Sequence, residues 1–232
     1  MRPLGEALSA RGFPVRAVRL AGHGTAVAEL TRTRWTDWLA SASEGLDELR
    51  RTCAYTAIAG MSMGALLALR VAATRPRDVS ALVLCGTLLR LRDFRLRLLG
   101  RFGGLPVLSS RLRAVTIPKT RGPDISDPAV RAASSSYRAM PLAGVLELLR
   151  LQDVVRRELS QVTQPALLLQ GRHDHNVPFD NLELLRRSLG SREIEVHVLE
   201  RSWHVVTLDV ERDLVSRLAG DMLERVERAL SG

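Results

Sequence analysis

The stretch Tyr55–Arg70, YTAIAGMSMGALLALR, limits what this chain can fold into more than any other. An apolar run, Tyr55–Ala59, leads into Gly60-Met61-Ser62-Met63-Gly64, and a helix-forming run follows. This is a strand, a G-x-S-x-G turn and a helix. The turn must be sharp, with Ser62 at its tip in a strained backbone conformation. Gly60 and Gly64 lack a Cβ, which lets strand and helix approach closely around the serine. The hydroxyl is lifted above the C-terminal end of the strand. The first amides of the next helix, that of Met63 above all, lie where an oxyanion would form. A Gly-flanked turn with a bystander serine is the plainer alternative, and partners for Ser62 decide between the two.

An active serine needs a base, and the base needs a group that orients it and stabilises its cation. On a strand–turn–helix scaffold of this kind the acid follows the serine and the histidine comes last. Asp174 is the acid candidate: it follows the apolar strand Ala166–Gln170 through Gly171-Arg172-His173. His204 is the base candidate, in a loop between the strand Glu193–Leu199 and the last helix. All three residues thus lie at strand C-terminal ends, where open α/β sheets place their sites. His173 and His175 flank Asp174, so RHDHN could be read as a metal cluster, but no H-x-x-x-H or cysteine partner accompanies it. His197 falls inside a strand, His23 reads as a structural loop residue, Asp180 is a weaker acid candidate, and Asp209 reads as a cap of the last helix.

The rest of the chain supplies the scaffold. Helices are expected at Leu4–Ser9, Trp35–Arg51, Ala65–Ala73, Leu182–Leu189 and Val210–Leu230. Strands are expected at Phe13–Leu20, Tyr55–Met61, Val79–Cys85, Gln164–Gln170 and Glu193–Leu199. This alternation means a mostly parallel sheet with helices on both faces. Leu88–Val162 breaks it. That interval offers no defensible strand, only helical patches at Phe94–Phe102, Pro128–Met140 and Leu142–Leu159, with joints at Gly103-Gly104, Pro118 and Gly122-Pro123. It reads as a helical cap inserted over Ser62, spanning 88–162, in a core made of 1–87 and 163–232.

Length and charge exclude some functions. A chain of 232 residues fits one such domain with its insertion. The net charge of +9 would suit nucleic acid, but the cations are almost all arginine, spread along the chain, with Lys119 the only lysine. The densest patch, Arg90–Arg113, has few aromatics and no nucleic-acid motif. No apolar run approaches the ~18–20 residues of a membrane span, and no secretory leader is visible at the start, so the expectation is a cytoplasmic protein without stable membrane insertion. Cys53 and Cys85 form no framework, and Cys85 reads as a small buried hydrophobe.

The ordered set GMSMG, then G-x-x-D-x-x-V-P (Gly171, Asp174, Val177, Pro178), then H-V-V-T-L-D (His204–Asp209), resembles the bacterial carboxylesterase and monoacylglycerol lipase branch of the α/β-hydrolases. The AGHG turn and the Trp35/Trp38 pair fit it too. The resemblance covers most of the chain outside the cap. It implies Ser62 as nucleophile, His204 as base and Asp174 as acid, with the cap as a lid shaping an acyl pocket. It also implies a small-molecule carboxylic ester as substrate, monoacylglycerols among the candidates, and no cofactor or metal. A thioesterase or amidase would share every residue named. One departure stands out. Such proteins begin with one or more strands and an H-G loop that gives a second oxyanion amide, whereas here Met1 falls where their first helix begins. Two expectations follow: an N-terminally truncated domain whose start is placed too late, or an impaired, non-catalytic acyl binder. In either case Phe13–Leu20 should make no direct ladder with Tyr55–Ala59.

Overall fold

The computed structural model describes residues 1–92, 115–118, 122–134 and 139–232. Four strands form its main sheet: β1 (Ala57–Met61), β2 (Ala81–Cys85), β5 (Ala166–Gly171) and β6 (Ile194–Leu199). They are all parallel, in the order β1-β2-β5-β6. Parallel strands need crossovers, and helices supply them. The described helices are α1 (Arg2–Ala10), α2 (Val27–Arg32), α3 (Trp35–Arg50), α4 (Met63–Thr74), α5 (Pro128–Ala133), α6 (Leu142–Glu158), α7 (Asp180–Ser188) and α8 (Arg212–Ser231).

The period-two alternation of the strands sorts these helices onto two faces. Leu82, Leu84, Ala166 and Leu168 turn to one side and join the buried residues of α3, α4, α6 and α7. Ala81, Val83, Cys85, Leu167 and Leu169 turn to the other, against Leu4 and Leu8 of α1 and Val215, Ala219 and Met222 of α8. Every residue of β2 and β5 is buried, which explains why both strands read as unbroken apolar runs. Arg11, just past α1, ties that helix to α8 by ion pairs with Asp221 and Glu224.

Two expectations need correction. Phe13–Leu20 is β-rich, yet it is no strand: residues 13–20 carry no regular structure and no ladder, and are mostly exposed, with Val18 lying against Gly45 of α3. Residue type favours a strand only where a neighbouring strand can pair, and here none does. The absence of a ladder between this segment and β1 agrees with the expectation drawn from the sequence; among the described residues β1 pairs with β2 alone. The second correction lies in the insertion. Thr116–Pro118 (β3) and Ala139–Pro141 (β4) form a small antiparallel ribbon, each strand three residues long and too short to show a period in sequence. Pro128–Ala133 is helical, but the helix stops well before Met140. The patch Phe94–Phe102, the Gly103-Gly104 joint and most of the Arg90–Arg113 cluster lie outside the described residues.

No helix among the described residues is long and apolar enough to cross a membrane.

Candidate active site

Ser62 sits between β1 and α4 with φ 56° and ψ −115°, the one non-glycine residue with positive φ among those described. Such a conformation costs about 1–3 kcal/mol and persists only where the surroundings enforce it. Two contacts do so. The Ser62 amide donates to the Cys85 carbonyl at 2.8 Å, extending the β1–β2 ladder by one bond. A Cβ on Gly60 would run into the Gly64 carbonyl and the Ala65 amide, so only glycine lets α4 fold back over the strand end. Gly64 differs from the expectation: a Cβ there meets nothing within 4 Å. The close approach therefore needs Gly60 and not Gly64. Met63 opens α4, so its N–H is the first amide beyond the serine.

The acid and base candidates come together. His204 Nδ1 lies 2.8 Å from Asp174 Oδ2, and both residues are buried. Because a carboxylate only accepts, Nδ1 carries the proton, which leaves Nε2 free to accept one from a hydroxyl. The other carboxylate oxygen, Asp174 Oδ1, accepts from the amides of Asn176 and Val177, each at 2.8 Å. One oxygen of the acid is thus fixed by the turn that carries it, and the other faces His204.

Two contacts bring this pair to the ends of β1 and β2. Gly86, directly after the Cys85 that holds Ser62, lies beside the imidazole; a Cβ there would sit 3.2 Å from His204 Nδ1. Gly86 takes φ 50°, a conformation that glycine adopts without penalty. Thr207, in the His204 loop, donates to the Met61 sulfur at 3.6 Å, one residue before Ser62. Gly171 closes the arrangement, since a Cβ at the end of β5 would collide with the carbonyls of Ser202 and Trp203.

A strained serine ahead of a helix and a buried His–Asp pair, all at the C-terminal edge of a parallel sheet, is the layout of a serine hydrolase. The family described as Hydrolase_4, serine aminopeptidase S33, matches residues 1–211. The chain belongs to this family of α/β-hydrolases.

Its relatives agree. A thermostable monoacylglycerol lipase of Bacillus sp. (strain H-257) is 32% identical over 215 residues, 93% of this chain and 81% of the relative. A carboxylesterase of Bacillus subtilis (strain 168) is 26% identical over 229 residues, 98% of this chain and 87% of the relative. Among solved structures, one from work on the metagenome-derived lipolytic enzymes LipS and LipT superposes with a TM-score of 0.86 at 30% identity, covering 98% of this chain and 87% of that one. The monoacylglycerol lipase of Paleococcus ferrophilus, at 17% identity with a TM-score of 0.79, shares the fold, over 96% of this chain and 88% of its own. The chain is thus a serine hydrolase of the lipase- and esterase-like branch.

The other candidate residues of this hydrolase fall into place around the site. His23 Nδ1 lies 3.1 Å from the Ala21 carbonyl, and its ring meets Trp38 edge-on. Burial pushes its pKa down, although the Ala21 carbonyl opposes this. It lies in the loop before α2, packed against Trp38. His197 pairs with Glu195 on β6. Asp180 opens α7 and is largely exposed. Among the described residues no group of three or more His, Cys, Asp or Glu side chains comes close enough to hold a metal ion. Cys85 is fully buried, and desolvation pushes its thiol up to about 12.

Asp209 is a further correction. The last helix begins at Arg212, with Glu211 in the capping position, so Asp209 caps nothing. It lies buried between loops instead. Its carboxylate accepts from the amides of Ser126 (2.9 Å), Asp127 (3.2 Å), Trp203 (2.8 Å) and Val210 (2.9 Å), and from the Ser126 hydroxyl. Burial acts most strongly on this carboxyl and raises its pKa, but the bonds from Ser126, Trp203 and Val210 together outweigh it and hold the group below its ordinary value. Asp124 was missed altogether. Gly122-Pro123 reads in sequence as a mere joint, yet the next residue reaches the acid loop from 51 positions away.

Proposed function

We propose that this chain is a carboxylic-ester hydrolase acting on short-to-medium acyl esters or monoacylglycerols through Ser62, His204 and Asp174. The observation that carries the reading is the buried His204–Asp174 bond beside the strand end that fixes the strained Ser62. His204 Nε2 takes the Ser62 proton as Oγ attacks the ester carbonyl. The Met63 amide stabilises the oxyanion, His204 returns the proton to the departing alcohol, and an acyl-enzyme remains. Water, deprotonated by His204, then releases the acid. Asp174 stays ionised and stabilises the imidazolium at each step.

The segment 88–162 serves as the lid over a core of 1–87 and 163–232. Its apolar cluster of Leu142, Val145, Leu146 and Leu149, with Leu91, Ile117 and Met140 against it, supports an acyl-binding role. Each buried methylene contributes about 0.8 kcal/mol. A lid this short encloses a small pocket, hence the preference for shorter chains. The names of the relatives support ester chemistry, monoacylglycerol included.

The test is a panel of p-nitrophenyl esters of graded length, monoacylglycerols, a thioester and an aryl amide, run on the parent and on Ser62→Ala and His204→Ala. The expected result is a maximum of kcat/KM at short or medium acyl esters and a loss of about 10⁴- to 10⁶-fold in either variant. Near-parent ester turnover in either variant would refute the assignment. Amide turnover above ester turnover would refute the substrate class.

A further inference from the structure

We propose that Asp124, inside the inserted segment 88–162, is a positioning residue that fixes the His204–Asp174 geometry. The inference rests on the catalytic reading above.

Asp124 bonds to the neighbours of both catalytic side chains at once. On the acid side, its Oδ2 accepts from the His175 amide at 3.0 Å and from Asn176 Nδ2 at 3.2 Å, and its Oδ1 pairs with His175 Nδ1 at 2.7 Å. On the base side, its carbonyl accepts from the Val205 amide at 3.0 Å. Three consecutive amides in the acid turn are therefore divided between two carboxylates. That of residue 175 goes to Asp124, and those of residues 176 and 177 go to Asp174 itself. The turn that aims Asp174 at His204 is anchored from behind, and the residue after His204 is anchored to the same point.

The anchor is itself held in place. Two residues on, Ser126 is bound by Asp209, whose carboxylate also takes the Trp203 amide just before His204. The His175 ring, gripped by Asp124, meets the Trp203 ring edge-on with centroids 4.7 Å apart. Asp124–Asp127 is thus a strap within the insertion that ties it to both catalytic loops. A hydrogen bond as short and buried as that of His204 and Asp174 depends steeply on such placement.

The experiment follows the pKa of His204 by imidazole NMR titration, assigned against His204→Ala, together with the pH profile of kcat/KM. Among the described residues, the charged and titratable groups around His204 include Asp174, bonded to it; the Asp124–His175 pair behind Asp174; Asp209 behind the Trp203 amide; Arg131, stacked on the Trp203 ring; the Met1 ammonium, bonded to Thr207 in the same loop; and Cys85, next to the Gly86 that lies beside the ring. Asp124→Ala releases the turn, so Asp174 stabilises the imidazolium less. The pKa of His204 and the acid limb of kcat/KM both move to lower pH, and activity falls by about 10²-fold, through kcat rather than KM. Asp124→Asn lacks the charge but keeps an oxygen for the His175 amide, and it retains most of the parent's activity and pKa. If Asp124→Ala does not fold, Asp124→Ser, too short to reach both donors, reports the same quantities. A parent-like pKa and kcat in Asp124→Ala would overturn the proposal. So would equal shifts in the Ala and Asn variants, which would show a field effect of the lost charge. The NMR titration needs no turnover, so an inactive parent would refute the catalytic reading and leave this one open to its own result.

Discussion

The proposed nucleophile and the proposed acid–base pair are held by different means. Asp174 and His204 sit on loops at the ends of β5 and β6, where the carboxylates of Asp174, Asp209 and Asp124 collect the loop amides and fasten one loop to the next. Ser62 is held by its own backbone: a strained φ, one ladder bond to Cys85 and the steric fit of Gly60 under α4. The supporting strands differ as well. β5 is buried throughout and has a neighbour on each side, whereas β1 has one described neighbour and Ala59 is exposed. One half of the site is held by many polar bonds, any of which can be weakened alone. The other depends on a few close contacts on a less protected strand.

The largest expected effects come from the close contacts. Gly60→Ala forces backbone apart and should cost at least about 1–3 kcal/mol, lowering Tm by about 2–4 °C per kcal/mol for a chain of this size. Gly171→Ala pushes against the Trp203 carbonyl and so against His204, and should cost about 10²-fold in kcat. Gly64→Ala has open space and should fold as well as the parent, because alanine favours a helix. Thermal melts and esterase rates on the three variants check this. A Gly64→Ala variant as damaged as Gly60→Ala would break the distinction between the two glycines.

Asp209 gives a smaller, pH-dependent effect. Its folded pKa lies below its ordinary value of 3.8, so its contribution is present above that value and lost as pH falls through the folded pKa. Bonds to a charged group are worth about 1.5–3 kcal/mol each. In urea titrations, Asp209→Asn should be less stable than the parent at pH about 6, with the gap closing towards pH about 3. A gap that widens in acid would reverse the sign and contradict the role given to Asp209.

The smallest effect concerns β1. Thr56 accepts from Ser80 and Ser62 donates to Cys85, so residues 56, 58, 60 and 62 face β2, while the amides of Ala57, Ala59 and Met61 face away. Hydrogen exchange should be faster at these three than at Ile58 and Gly60, and faster than across β2. Uniform protection along β1 would mean that its outer edge is covered.

The Ser62 half of the proposed site was easier to read from sequence than the half that carries Asp174 and His204. G-x-S-x-G is local, so the strand, turn and helix follow from adjacent residues. Asp174 and His204 could be placed because each follows an apolar strand. Asp124 and the role of Asp209 could not, since their partners lie 51 and 83 positions away and no local pattern encodes them. Phe13–Leu20 has strand residues without a pairing partner. The six residues of α2 and the three each of β3 and β4 are too short to show periodicity.

The central claim is that Ser62 is the nucleophile and that His204 activates it. Mass spectrometry after treatment with a fluorophosphonate probe tests it most directly. The account predicts one covalent adduct per chain, on Ser62, nearly abolished in His204→Ala. No adduct on the folded parent, or an adduct on another residue, would contradict it.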